Sequence, residues 1–246
     1  MRVTILIDGF PGMSATHGGF GWCSVALIEC DGQLILVETG PPAYIPLLKA
    51  KLEARNIQLG DITGILITHA HWDHLANVTM FPNADFYIGA REIEWARQLP
   101  AGTPFVSSLH VDFLLANSSR VNLVHDGDGI VDGVEVIGTP GHTPGHVAYM
   151  VTGETTYFFA GDAVKNLHEL STGKVDSTLS SDTSEKSVEK LYVLTKKHGA
   201  LLIPGHDVPL YVDSSGSVKR AHTQRVDIQY YATARDRLRD VSISIA

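Results

Sequence analysis

The stretch Gly64-Ile65-Leu66-Ile67-Thr68-His69-Ala70-His71-Trp72-Asp73-His74 decides how this chain is read. Its apolar first part predicts a strand over Gly64–Thr68, and directly beyond it three imidazoles and a carboxylate fall within six residues. That density is an odd way to fill a core, because neutral imidazoles and a carboxylate each need buried partners. A metal ion supplies them all. Imidazole nitrogen and carboxylate oxygen are ligands that zinc accepts, and a catalytic zinc site takes about three of them and keeps a position open for water. His69 and His71 stand two apart, so an extended segment projects both to one side, where they can clasp one ion. Asp73 and His74 come where the chain must turn, and can reach a second ion.

Three later segments repeat the layout of an apolar strand, a glycine and a candidate ligand. They are Val136-Ile137-Gly138-Thr139-Pro140-Gly141-His142, Tyr157-Phe158-Phe159-Ala160-Gly161-Asp162 and Leu201-Leu202-Ile203-Pro204-Gly205-His206. Glycine lets the backbone turn sharply and approach a metal closely. Each segment alone is weak: a lone histidine is more often satisfied or solvated than a ligand, and an aspartate after glycine is more often a turn residue. Their joint occurrence with the histidine-rich segment favours one shared metal centre.

Further short apolar runs, Val3–Ile7, Ser24–Glu29, Leu34–Glu38, Asp85–Ile88 and Val147–Val151, also read as strands. Helical spacing marks Ala43–Arg55, Arg91–Leu99 and Ser184–Lys197. The mixture predicts sheets covered by helices in one α/β domain spanning 1–246. Val218–Asp240 reads as a closing C-terminal helix, with Ala221, Ile228, Tyr231 and Leu238 as its buried face. Three stretches read as loops: Asp8–Trp22, Pro100–Ser119 and Ser171–Ser184. Either of the first two is placed to cover an active site, and the third is long enough to be functional or mobile.

With 246 residues and 44% hydrophobic content, the chain can bury one large core. The net charge of −8, with both signs interspersed, offers no basic surface for a polyanion and disfavours nucleic acid as a partner. Cys23 and Cys30 lie seven apart in an apolar stretch, too far along one strand for a disulfide, and read as buried thiols. The start of the chain lacks the basic flank and long apolar stretch of a secretion signal, and no run reaches transmembrane length. A cytoplasmic protein with no membrane partner is expected.

The pattern His-x-His-x-Asp-His, then a histidine, a Gly-Asp and a late histidine, resembles that of the metallo-β-lactamase-fold hydrolases, and the resemblance runs from Val3 to His206. It implies an αββα sandwich with two metal ions at one edge between the sheets. It further implies that His69, His71 and His142 bind the first metal, that Asp73, His74 and His206 bind the second, and that Asp162 bridges them. Pro82–Ala84 and Pro204-Gly205-His206-Asp207-Val208-Pro209 look like the small single-domain branch of the family. Thr139–His146 looks like the lactonase and glyoxalase II branches. Two departures stand out. Glu38-Thr39-Gly40 replaces the usual Asp-Thr-Gly or Asp-Ser-Gly, so a contact behind the ligands is expected to be built differently. Lys165 stands where lactonases tend to carry a tyrosine, which weighs against homoserine-lactone specificity.

The resemblance implies a dinuclear hydrolase. Two divalent ions, zinc in the first instance and iron or manganese as other candidates, lower the pKa of a shared water toward ~7. Asp73 is expected to orient the resulting hydroxide and pass a proton to the leaving group. The expected substrate is a small carboxylic derivative, whether lactone, ester, thioester or amide. Lys165, expected on a loop at the rim of the site, would hold an anionic group of that substrate. The alternatives are a phosphodiesterase or nuclease, and a non-hydrolytic di-iron protein. A homodimer is compatible with the sequence. His146 reads as structural or lying behind the ligands. His17, His110, His168 and His222 read as surface or loop histidines, and Trp72 as packing beneath the site.

Overall fold

The computed structural model describes residues 1–246 except Ala15, His17, Ala234, Arg235, Asp236 and Ala246. The first half runs through β1 (Arg2–Ile7), the two-residue β2 (Met13–Ser14) and β3 (Gly18–Gly19), β4 (Val25–Cys30), β5 (Gln33–Val37), α1 (Ile45–Glu53) and β6 (Gly64–Ile67). It continues through α2 (Trp72–Leu75), β7 (Asp85–Gly89), α3 (Ala90–Ala96), α4 (Ser108–Ala116) and β8 (Val121–Val124). The second half holds β9 (Gly129–Val131), β10 (Val134–Gly138), β11 (Val147–Val151), β12 (Tyr157–Gly161), α5 (Leu167–Thr172), α6 (Ser181–His198), β13 (Leu201–Pro204), β14 (Leu210–Val212) and β15 (Val218–Arg220). A hairpin of β16 (Gln224–Tyr230) and β17 (Arg239–Ile245) follows.

One sheet has the order β1-β4-β5-β6-β7-β8 and the other β15-β14-β13-β12-β11-β10-β9. Period-two alternation along the strands divides the apolar residues between three layers. Ala26, Ile28, Ile35, Val37 and Leu66 of the first sheet meet Val136, Val147, Tyr149, Val151, Phe159 and Ile203 of the second between the sheets. Their strand neighbours Leu27, Leu36, Ile65, Ile67 and Phe86 point outward against Leu48, Leu52, Ile93, Val111 and Leu114 of the helices. On the far side Ala148, Phe158, Ala160 and Leu202 pack on Leu170, Val188 and Leu191. The result is the expected αββα sandwich. The buried Tyr149 hydroxyl lies 2.9 Å from the Ile67 carbonyl and 3.0 Å from that of Tyr87, which pins the sheets together at the end of β6.

Three readings of the sequence are corrected. Val218–Asp240 is not a closing helix. It holds β15, β16 and the start of β17, and Ala221, Ile228, Tyr231 and Leu238 are exposed. Pro100–Ser119 contains α4, whose Val111 and Leu114 are buried in the outer core. Ser171–Ser184 shortens to residues 173–180, because α5 and α6 occupy its ends. His17 lies outside the described residues. Both cysteines are buried and free, as expected. No helix among the described residues is long and apolar enough to cross a membrane.

Candidate metal centre

β5, β6 and β7 run parallel, as do β12 and β13, while β10 and β12 both run antiparallel to β11. The C-terminal ends of β10, β12 and β13 therefore meet one edge of the second sheet, facing the end of β6. The Val147 N–H donates to the Thr68 carbonyl across the gap at 3.0 Å. Gly161 allows this approach: its φ is +49°, and a Cβ there would lie 2.4 Å from Thr68 Oγ1.

Beyond β6 the chain stays extended through His71 (φ −73°, ψ 146°), and the His69 and His71 rings come within 4.5 Å of each other. The single turn of α2 then swings Asp73 and His74 back, leaving the His74 ring 4.2 Å from that of His69. Loops following β10, β12 and β13 add His142, Asp162 and His206. All seven sequence-predicted ligands thus converge. Their ligand atoms form the trios His69–His71–His142 and Asp73–His74–His206, with each trio's atoms within 4.8 Å of one another. Asp162 faces both: its Oδ2 lies 3.3 Å from His142 Nε2, while its Oδ1 lies 3.3 Å from His74 Nε2 and 3.2 Å from His206 Nε2. Asp73 Oδ2 stands 3.6 Å from His74 Nε2 and 3.5 Å from His206 Nε2.

Groups behind the ligands fix the rings. Thr68 Oγ1 meets His69 Nδ1 at 2.9 Å, which leaves Nε2 aimed into the cluster. Glu38, in a left-handed conformation (φ +64°), accepts the Thr68 N–H on one carboxylate oxygen at 3.0 Å and sets the other 3.6 Å from His74 Nδ1. This is the differently built contact expected from Glu38. His146 is buried with its ring 5.0 Å from that of His69 and its Nδ1 2.8 Å from Thr139 Oγ1, which matches the structural reading.

The electrostatics are those of a crowded, largely buried cluster. Burial lowers His71 to about 4 and His142 to about 3, and pushes His69 well below the usual imidazole range. Burial would lower His74 too, but the carboxylates of Asp73, Asp162 and Glu38 outweigh it and raise it well above that range. Burial would likewise raise Asp162, yet His206, His74 and His142 hold it well below the carboxylate range. His69 Nε2, His74 Nε2 and Asp162 Oδ1 are buried with no hydrogen-bond partner. Buried polar atoms are rarely left so, and nitrogen and carboxylate oxygen converging without partners fit divalent metal ions such as zinc.

Two predicted residues stand elsewhere. Lys165 is buried rather than presented at the rim: its Nζ pairs with Glu169 Oε1 at 2.7 Å and donates to the Asp176 carbonyl at 2.9 Å. An ammonium engaged in this way is not waiting for a substrate carboxylate. Trp72 does not pack beneath the site but is 44% exposed beside it. His168 and His222 are exposed, and His110 is half-buried on α4. Sequence reasoning missed Glu92, Asp207 and Arg220. Asp207, next to His206, is fully buried and takes a bidentate contact from Arg220 at 2.9 and 2.8 Å. Its position beside a ligand was the available signal; nothing local pointed to Glu92.

A family model for the metallo-beta-lactamase superfamily matches residues 18–206. The chain is 28% identical to metallo-beta-lactamase domain-containing protein 1 of Xenopus laevis over 90% of this chain and 86% of that protein. It is 28% identical to the N-acyl homoserine lactonase AttM of Azorhizobium caulinodans over 64% of this chain and 63% of that one. Among solved structures it is similar to AidC, a dizinc quorum-quenching lactonase, with a TM-score of 0.69, 18% identity and coverage of 81% and 79% of the two chains.

Proposed function

Because the chain belongs to the metallo-beta-lactamase superfamily, we propose that it is a dinuclear metal-dependent hydrolase of a small carboxylic derivative, a lactone, ester, thioester or amide carrying an apolar group. The observation that carries this reading is Asp162, a buried carboxylate with one oxygen toward each imidazole-rich trio. In this reading His69, His71 and His142 would hold one divalent ion and Asp73, His74 and His206 the other, with Asp162 available to both, zinc being the ion that best suits the set. Such ions supply a hydroxide nucleophile near neutral pH and polarise the scissile carbonyl. Asp73 is the carboxylate of its trio with a partly exposed side chain (21%). It can meet the substrate side, orient the attacking water and return its proton to the leaving group. No serine or cysteine nucleophile is needed.

The apolar preference rests on the rim. Trp72, Phe105 and Leu179 are 44%, 68% and 63% exposed. Each is tied to a ligand segment: the Trp72 N–H donates to the Phe105 carbonyl at 2.9 Å, the Phe105 ring lies 5.9 Å from that of His71, and the Leu179 N–H donates to the His142 carbonyl at 3.3 Å. Phe105 holds a left-handed conformation (φ +68°), unfavourable for a bulky side chain and kept only where its surroundings impose it. Lys165, engaged internally, is not presented to a substrate anion.

The test is metal analysis of the purified protein followed by a screen of zinc-loaded enzyme against paired substrates: lactones and esters with short and long acyl chains, and phosphodiesters. Two metal equivalents and faster turnover of the longer acyl substrates are expected. Phosphodiesters as the better substrates, or two irons with no hydrolysis of any substrate, would overturn the reading.

A further inference from the structure

Glu92 sits in the first turn of α3 with its side chain wholly buried, and neither trio uses it. Among the described residues no basic side chain pairs with it. Three donors face the carboxylate instead: Oε1 accepts the Ala70 N–H at 2.9 Å, and Oε2 accepts the Thr143 hydroxyl at 2.7 Å and the Gly145 N–H at 3.1 Å. These donors belong to the two loops that build one trio. Ala70 lies between His69 and His71, and Thr143 follows His142, although His71 and His142 are 71 residues apart. The backbone of the helix is seated tightly against the second of these loops: a Cβ on Gly145 would lie 2.0 Å from the Glu92 nitrogen. Burial pushes its carboxyl up to about 7 against the pull of the three hydrogen bonds, as expected for a negative charge held without a cation.

We propose that Glu92 is a positioning residue that fixes the separation between the His69–His71 segment and the His142 loop, and so sets the affinity of that trio for its metal ion. This rests on the proposed reading of the trio as ligands. A carboxylate suits the task because both its oxygens accept, and each serves a different loop. Glutamine has the same shape but one amide NH2, which would oppose donor to donor at one of the two loops. Among the described residues no hydrogen bond or ion pair joins Glu92 to Asp73, His74 or His206, so that side of the centre should be indifferent to the change.

The experiment compares wild type, Glu92→Gln and Thr143→Val as full-length proteins. Stepwise zinc affinities are measured by competition with a chromophoric chelator, together with the melting temperatures of the metal-free proteins. Wild type is expected to take two equivalents. Glu92→Gln should weaken one of them by about tenfold or more, leave the other near the wild-type value, and Thr143→Val should move the same equivalent in the same direction by less. A merely structural role would lower the melting temperature and leave both affinities at wild-type values, and that result overturns the proposal, as does equal weakening of both equivalents. Thr143→Val removes one donor without exposing or burying a charge, and decides the matter alone if Glu92→Gln does not fold. Wild type that takes up no zinc would remove the metal-centre reading itself, a failure separate from unchanged affinities in the variants.

Discussion

At the residue scale, the chemistry of a charged side chain here is set by its neighbour. Lys165 stands three residues past Asp162, yet its ammonium lies 2.7 Å from Glu169, a carboxylate that burial pushes upward and Lys165 pulls back down. The Glu169 side chain also accepts the Lys165 N–H at 2.7 Å, and the Lys165 carbonyl accepts the His206 N–H at 2.8 Å. The residue therefore builds the floor under a ligand loop. Lys165→Met strands Glu169 in the interior, and removing one partner of such a buried pair costs about 3–5 kcal/mol. The variant should unfold at markedly lower denaturant concentration, and where it remains folded its KM should shift equally for charged and neutral substrates. A rise in KM confined to anionic substrates would restore the direct contact. The Lys165 position was legible in the sequence; its partner, four residues on along a helix not yet assigned there, was not.

At the scale of elements, the segment after His206 shows what a pattern can hide. Its charges and helix formers suggest a helix, but Val226, Ile228 and Tyr230 alternate with Arg225, Asp227 and Gln229, and Val241, Ile243 and Ile245 alternate in turn. That period of two is the strand signal, and it is realised by pairing in register from Gln224↔Ile245 to Tyr230↔Arg239. A helix closes its hydrogen bonds locally, whereas this hairpin needs a partner strand that a window along the sequence does not contain. The preceding strand matters more to the centre. β15 delivers Arg220 to the fully buried Asp207, whose Oδ2 also accepts the Leu167 N–H at 3.0 Å, so a strand beyond the last ligand clamps the loop that carries it. Arg220→Ala leaves a buried carboxylate without its cation and should cost about 3–5 kcal/mol. In the chelator competition it should weaken the equivalent that Glu92→Gln spares. Two unaltered equivalents in a destabilised protein would confine Arg220 to a purely structural role.

At the scale of the molecule, the two sheets bring together ligands that no single element could hold. Thr68 and Val147 join the sheets at the same edge where β6, β10, β12 and β13 end, so cohesion of the sandwich and assembly of the centre are coupled. The cluster has a cost, since imidazoles and a carboxylate are buried with partnerless atoms. Ions bound only by the folded state offset that cost by RT ln(1 + [L]/Kd), about 2.7 kcal/mol at a hundredfold excess over Kd. Exhaustive chelation should therefore lower the melting temperature, and zinc should restore it in a concentration-dependent way. An unchanged melting temperature between the chelated and zinc-loaded protein would mean that the cluster pays for its own burial without metal.

The sequence by itself determined the strands of both sheets except β8, β9, β14 and β15, the αββα class through its resemblance, and all seven ligand candidates. These are properties of local periodicity and of residue types that are costly to bury, so they appear in the order of the chain. Only the tertiary structure decided that Lys165 faces Glu169, that Glu92 spans two ligand loops, that Arg220 clamps Asp207, and that Trp72 lies open at the rim. The Glu92 and Arg220 contacts join segments far apart in the chain, the Lys165 pair depends on a helix turn, and the exposure of Trp72 depends on what packs beside it; hydrogen bonds weaken too steeply with geometry for spacing along the chain to foretell such contacts.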